Sequence, residues 1–113
     1  MMTEERTALW SGQSGKKYKY CIYPVGTSFN DVPGNYIFVI ETGPHTWIPV
    51  YIGETDSLHR RLSNPESHEK WPCIRRYGGT HIHIHESSTN ETTRRQEEAD
   101  IIEQESPPCN LED

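Results

Sequence analysis

The sequence predicts an α+β domain. Three observations carry this. Two apolar runs, Tyr36–Glu41 and Trp47–Ile52, flank the turn residues Thr42-Gly43-Pro44-His45. Thr80–Glu86 alternates strictly. Helix signals fall only between and after these segments. The order strand, strand pair, helices, strand, helix sets helices beside an antiparallel sheet.

Residues 1–17 are polar and punctuated by Ser11-Gly12 and Ser14-Gly15, which predicts a flexible N-terminus. Residues 18–113 are left as a single domain. Tyr18–Val25 alternates aromatic or apolar residues with others and reads as a strand, with Pro24 confining it to an edge or an end. Pro33-Gly34 closes the following loop. YIFVIE is nearly continuous in apolar character, as a buried strand is. Pro49 marks the next strand as an edge or a bulge. After Gly53, Thr55 or Asp56 supplies a cap for a helix whose Leu58 and Leu62 lie one turn apart. Asn64-Pro65 stops it. Trp71-Pro72 opens a second short helix and Gly78-Gly79 ends it. A last helix runs from Asn90 or Thr92 to about Glu105, where Ser106-Pro107-Pro108 terminates it.

The core these elements share is thin. Of 113 residues 32% are apolar, and Leu, Ile, Val and Phe number only 20, near the composition of disordered chains. Nine Trp and Tyr oppose that, since each ring buries roughly 150–250 Å². No apolar run reaches the roughly 18–20 residues of a membrane span. Met1–Trp10, with Glu4 and Glu5, lacks the apolar stretch of a secretory signal. Cys21, Cys73 and Cys109 are odd in number and far apart. Neither a disulfide framework nor a thiolate zinc site is expected, and a reducing cytoplasm is the plain location.

The net charge of −6 is ill suited to nucleic acid, but it is unevenly spread. Residues 96–113 hold seven acids and no Lys or Arg, whereas residues 1–95 hold ten acids and eleven bases. Arg60-Arg61, Arg75-Arg76 and Arg94-Arg95 are doublets that allow a local basic face.

Two charged residues stand at the margin of buried faces. Ile101 and Ile102 are the large apolar residues of the last helix, so Glu98 and Ala99, a turn earlier, point inward or to the margin. A carboxylate there is costly unless paired or metal-bound. Arg61 borders the Leu58–Leu62 face, where a guanidinium suits a phosphate or a carboxylate.

Five elements in order carry a resemblance: Gly34-Asn35-Tyr36, Tyr51-Ile52-Gly53, the stretch YIGETDSLHRR ending at Arg61, Glu98 in the last helix, and Asn110 after the prolines. Over residues 34–110 the chain resembles the GIY-YIG nuclease superfamily, with Asn35 in place of the middle Ile. The ending EADIIEQESPPCN is similar to that of the N-terminal domain of excision-repair nucleases.

The resemblance implies a small three-stranded antiparallel sheet flanked by helices, extended by an N-terminal strand. It implies a metal-dependent endonuclease that hydrolyses DNA phosphodiester bonds with Mg²⁺ or Mn²⁺. Glu98 would hold the cation and Arg61 the scissile phosphate. Tyr36, the candidate base, and Tyr51 would lie near the attacking water. A tyrosine of ordinary pKa, about 10, is a poor base at neutral pH. It needs a neighbour or the metal's field, and His68, seven residues after Arg61, is the candidate neighbour. Gly53, Arg60 and Asn110 are assigned to the substrate side, Gly53 as a tight turn beside DNA and Asn110 as support. DNA is the expected partner. Specificity is left to a partner protein or to DNA structure.

Two rival functions accompany this one. A module of the same fold could bind nucleic acid without cutting it. Alternatively, His81, His83 and His85, which share one strand face, could hold zinc; the plainer expectation turns Ile82 and Ile84 inward and the histidines outward.

Overall fold

The computed structural model describes residues 6–111. The absent-signal expectation for Met1–Trp10 therefore lies in part outside the described residues. Five strands form one antiparallel sheet: β1 Thr7–Ser11, β2 Lys17–Pro24, β3 Gly34–Gly43, β4 Thr46–Thr55 and β5 His81–Glu86, in the order β1-β2-β5-β3-β4. Helices α1 Leu58–Leu62, α2 Trp71–Arg76, α3 Glu91–Glu105 and α4 Pro108–Leu111, with a 3₁₀ turn at Pro65–Ser67, surround it.

The sheet has five strands, not the three that the resemblance implies. The α+β class is as predicted, and β3, β4 and β5 are the expected trio. The addition is the β1–β2 hairpin, which pairs through β2 with β5. Residues 7–17 are therefore not a loose segment. Ala8 and Trp10 alternate inward in β1, and the Trp10 indole N–H donates to His83 Nδ1 at 3.0 Å. Ser14, in the hairpin turn, is pinned to α3 by its N–H and hydroxyl on the Asp100 carboxylate, at 2.8 and 2.6 Å. Asp100 of α3 thereby holds the turn.

Both faces of the sheet are covered. On one face Tyr36, Phe38, Ile82 and Ile84 pack under α1 and α2 with Leu58, Leu62 and Ile74. On the other Ile37, Val39, Ile52, Trp10 and Tyr20 pack with Ile101 of α3. That second layer corrects the expectation for β5. Its histidines face α3 and the hairpin rather than solvent, and His83 is fully buried. The three rings also diverge in their partners. His81 meets Thr80 and Glu41, His83 accepts from Trp10, and His85 binds Glu97 at 2.8 Å. Among the described residues no three His, Cys, Asp or Glu gather as a protein-bound zinc site requires. The zinc expectation has no geometry to support it.

Strand β4 is an edge, and it is bulged where Pro49 stands. Phe38 pairs with Tyr51 and Val39 with Pro49, leaving Val50 as the extra residue. The bulge lets Val50 and Tyr51 pack toward the same aromatic cluster. Helix α1 is capped by Ser57, one or two residues later than expected, whose Oγ accepts the Arg60 N–H. Asn90 caps α3, and Ser106 ends it in the left-handed conformation at φ 45°. The prolines that end α3 also begin α4. There the structure pairs Cys109 with Cys73 of α2, sulfur to sulfur at 2.14 Å. The sequence reading expected no disulfide. Its two halves lie 36 residues apart, with no local spacing to announce them.

Candidate active site

Tyr36 of β3 and Gly53 of β4 are register partners, as are Phe38 and Tyr51, so Tyr36, Gly53 and Tyr51 share the face that α1 covers. A Cβ on Gly53 would lie 2.5 Å from the Tyr36 hydroxyl. Gly53 therefore makes room for the Tyr36 phenol. The sequence reading placed it beside the substrate as a tight turn, and its backbone is ordinary strand.

Two groups meet at the Tyr36 oxygen. Arg61 Nε donates to it at 3.1 Å, and His68 Nε2 lies 2.8 Å away. The proton on His68 follows from its other nitrogen. The Lys70 backbone N–H donates to His68 Nδ1 at 3.0 Å, so Nδ1 is an acceptor. Burial holds the His68 pKa down to about 4, so the ring is neutral at pH 7 and carries its proton on Nε2. Tyr36 thus accepts from both Arg61 and His68 and keeps its own proton for a third partner. Burial raises the Tyr36 pKa, and the neighbouring Tyr51 adds to this, while Arg61 opposes it. Tyr36 is a phenol at neutral pH. The Tyr51 ring stands 6.2 Å from that of Tyr36 and 5.2 Å from that of His68. Its pKa is raised too, by burial first and then by Glu98.

Glu98 approaches from α3, which packs on β4. It is half-buried, and its pKa is pushed up to about 7, by burial and then by the Glu54 carboxylate, with Arg95 opposing. Its neighbour Glu97 is the more buried of the two and is committed to structure: Tyr20 donates to it at 2.6 Å and His85 lies 2.8 Å away. Of these two α3 acids, Glu98 is the one that faces Tyr51. Sequence reasoning identified it by its spacing from Ile102.

Asn110 of α4 makes a two-point contact with β4. Its Oδ1 accepts the Ile52 N–H and its Nδ2 donates to the Ile52 carbonyl, both at 2.8 Å. Through this contact Asn110 holds β4 in place. Its amide continues the ladder of the edge strand between Tyr51 and Gly53. Arg60 is exposed and pairs with Asp56 at 2.5 Å, apart from the Tyr36 cluster.

A cleft of about 480 Å³ runs beside this cluster, lined by Glu54, Asp56, Arg60, Arg61 and Arg94 among others. Sequence reasoning missed Glu54, Arg94 and Glu69. Arg94 is buried and its Nε meets Glu54 at 3.3 Å, while Glu69 takes both terminal nitrogens of Arg61, at 2.8 and 2.6 Å. Arg94 lies seven residues before Ile101 on the inner face of α3, a signal that the Arg94-Arg95 doublet obscured. Glu69 is exposed and obeys no periodicity.

The residues fit a divalent cation. Glu98 and Glu54 form a carboxylate pair in which Glu98 resists ionisation, a condition that a bound cation relieves. One carboxylate suffices for a Mg²⁺ that keeps most of its waters.

Comparison with protein-family models gave no match, and comparison with curated proteins gave none. Two solved structures are similar. Both are of the GIY-YIG N-terminal endonuclease domain of UvrC from Thermotoga maritima, each a tyrosine-to-phenylalanine point mutant bound to its catalytic divalent cation. They share 26% and 27% identity with this chain at a TM-score of 0.58, covering 74% of this chain and 87% of theirs. With the ordered motifs now gathered around one β3–β4 edge, the chain has the GIY-YIG nuclease fold.

Proposed function

We propose that this chain is a metal-dependent endonuclease that hydrolyses DNA phosphodiester bonds. The observation that carries the proposal is the meeting of Arg61 and His68 at the Tyr36 hydroxyl, with Glu98 half-buried near Tyr51. The divalent cation in the two similar structures supports the same reading.

Phosphodiester hydrolysis builds negative charge on the phosphoryl oxygens as water attacks, and fixed positive groups lower that barrier. Arg61 supplies a guanidinium suited to a phosphate. Glu98 would hold Mg²⁺ or Mn²⁺, which when bound supplies Lewis-acid stabilisation and lowers the pKa of nearby acids. His68 and Arg61 both donate to the Tyr36 oxygen, so they stabilise negative charge there. The Tyr36 proton is thereby directed away from both. Tyr36 is positioned to orient the attacking water; it would take the water's proton only as the phenolate, after its own proton has passed to solvent water, and the Arg61 and His68 donors would stabilise that phenolate. Tyr51 closes the aromatic wall and limits water access.

Gly53 and Asn110 act on Tyr36 and β4 rather than on DNA. Arg60, exposed on the cleft, is proposed to meet the substrate backbone.

The test is cleavage of a panel of duplex, branched and single-stranded DNA, with and without Mg²⁺ or Mn²⁺, beside Glu98→Ala and Tyr36→Phe. Metal-dependent cutting that both substitutions abolish supports the proposal. Salt-sensitive binding without cutting would instead identify a non-cleaving module of the same fold.

A further inference from the structure

Arg61 is the residue proposed to receive the phosphate, yet both of its paired-donor edges are already engaged. Nη1 and Nη2 hold the two oxygens of Glu69, at 2.8 and 2.6 Å. Nε, which completes the other edge, is committed to Tyr36. A carboxylate in the end-on fork of a guanidinium has the planar, two-oxygen geometry that the same fork offers a phosphate.

The frame around Glu69 is fixed, while its side chain is not. The His68 N–H bonds to the Pro65 carbonyl, the Lys70 N–H to His68 Nδ1 and the Trp71 N–H to the His68 carbonyl. The Glu69 side chain is 62% exposed. It can return to water at the cost of one two-point pair, which a phosphate in the same fork replaces. Arg61 holds the Glu69 pKa down to about 2, so near neutral pH the acid is removed by competition and not by protonation. Nearby pairs differ in kind. Arg60–Asp56 and Arg95–Glu91 are local i,i+4 contacts, the first across the start of α1 and the second along α3. Arg61–Glu69 joins α1 to the turn before α2.

We propose that Glu69 is a built-in competitor of the substrate phosphate, occupying the Arg61 fork in the free protein and swinging into solvent when a nucleic-acid phosphate takes its place. This rests on the nuclease reading of the site. A strand held at several points presents its phosphate at high effective concentration and displaces the carboxylate, whereas a lone phosphate competes poorly. Glu69 would thereby discriminate an extended polyanion from small phosphates.

The test is fluorescence anisotropy with a labelled 20-base-pair DNA duplex in EDTA, which separates binding from cleavage. The proteins are the wild type, Glu69→Gln, Arg61→Ala, the double variant, and Glu103→Gln as an exposed control of equal charge change. The expected result is DNA affinity about tenfold higher for Glu69→Gln, with a salt slope steeper by about one unit for the added phosphate contact. The gain should vanish in the Arg61→Ala background and be absent in Glu103→Gln. Equal gains in both Arg61 backgrounds, or in the control, would mean bulk charge and overturn the proposal. Unchanged or weaker binding by Glu69→Gln, with Arg61→Ala still weakening the wild type, overturns the competitor role and leaves the nuclease reading intact. Absence of binding by every variant overturns both.

Discussion

Gly53 lies against the Tyr36 phenol so closely that a methyl group on its Cα would sit 2.5 Å from both Cζ and Oη of that ring. The close approach is what lets Tyr36 reach Arg61 and His68. Gly53→Ala should therefore displace the ring, destabilising the fold by about 1–3 kcal/mol as an overpacked core does. Cleavage should fall at least as far as in Tyr36→Phe. Removing only the hydroxyl should not rescue it, because Cζ is equally close. Urea denaturation beside a cleavage assay checks this; a Gly53→Ala protein with wild-type stability and rate would refute it.

Asn110 satisfies two backbone groups of a fully buried residue, Ile52. Asn110→Ala leaves both without that partner, a loss of about 2 kcal/mol. For a domain of this size that is a fall of roughly 10 °C in Tm. A calorimetric scan that moves by less than a degree would exclude the positioning role.

The buried histidines give the fold a pH dependence of definite sign. His68 and His83 both have pKa values held down to about 4 by burial. Below the ordinary His value of about 6.5 the unfolded chain takes up protons that the native state refuses. Their contribution is thus present above pH 6.5 and lost as the pH falls toward 4. His85 works in the opposite sense: Glu97 raises its pKa, so its contribution is present in acid and fades as the pH rises. The share contributed by His68 and His83 should decline from pH 7 to pH 4.5, against the opposite trends of His85 and Glu98. His68→Gln should flatten that decline in urea titrations across the range, and an unchanged slope would count against the neutral, buried His68.

Glu98 titrates the other way. Its pKa of about 7 exceeds that of an unfolded glutamate, so the native state binds a proton that the unfolded chain has released. Its contribution is whole below about pH 4.5 and gone above pH 7. At pH 8 in EDTA, Glu98→Gln should melt higher than the wild type. Adding Mn²⁺ should raise the wild-type Tm and leave that of Glu98→Gln unmoved. An equal rise in both proteins would place the cation elsewhere.

What the sequence made legible follows from how local each signal is. The continuous run YIFVIE and the Tyr51-Ile52-Gly53 motif marked β3 and β4, and the Leu58–Leu62 spacing marked α1. The β5 strand itself was legible, but not its orientation, because alternation shows two faces without showing whether the second is covered. The cover comes from the hairpin, whose anchor Trp10 meets His83 across 73 residues. Helix α3 hid its inner stripe for a related reason. Arg94 and Glu97 are buried because Glu54, Tyr20 and His85 await them, partners that only the folded chain supplies. The Cys73–Cys109 pair was likewise beyond reach, since nothing between the two cysteines encodes the meeting of α2 and α4.

The amide of Asn110 has a consequence beyond the site. Strand β4 is the last in the sheet, and an uncovered last strand offers its N–H and C=O groups to any extended chain that drifts past, which is how sheets from separate molecules join. Here Pro49 has no N–H to offer, the bulge at Val50 breaks the row, and Asn110 occupies both groups of Ile52. The residue that steadies the strand beside Tyr51 also denies that strand to strangers, so this edge is guarded against self-assembly by part of its own framework.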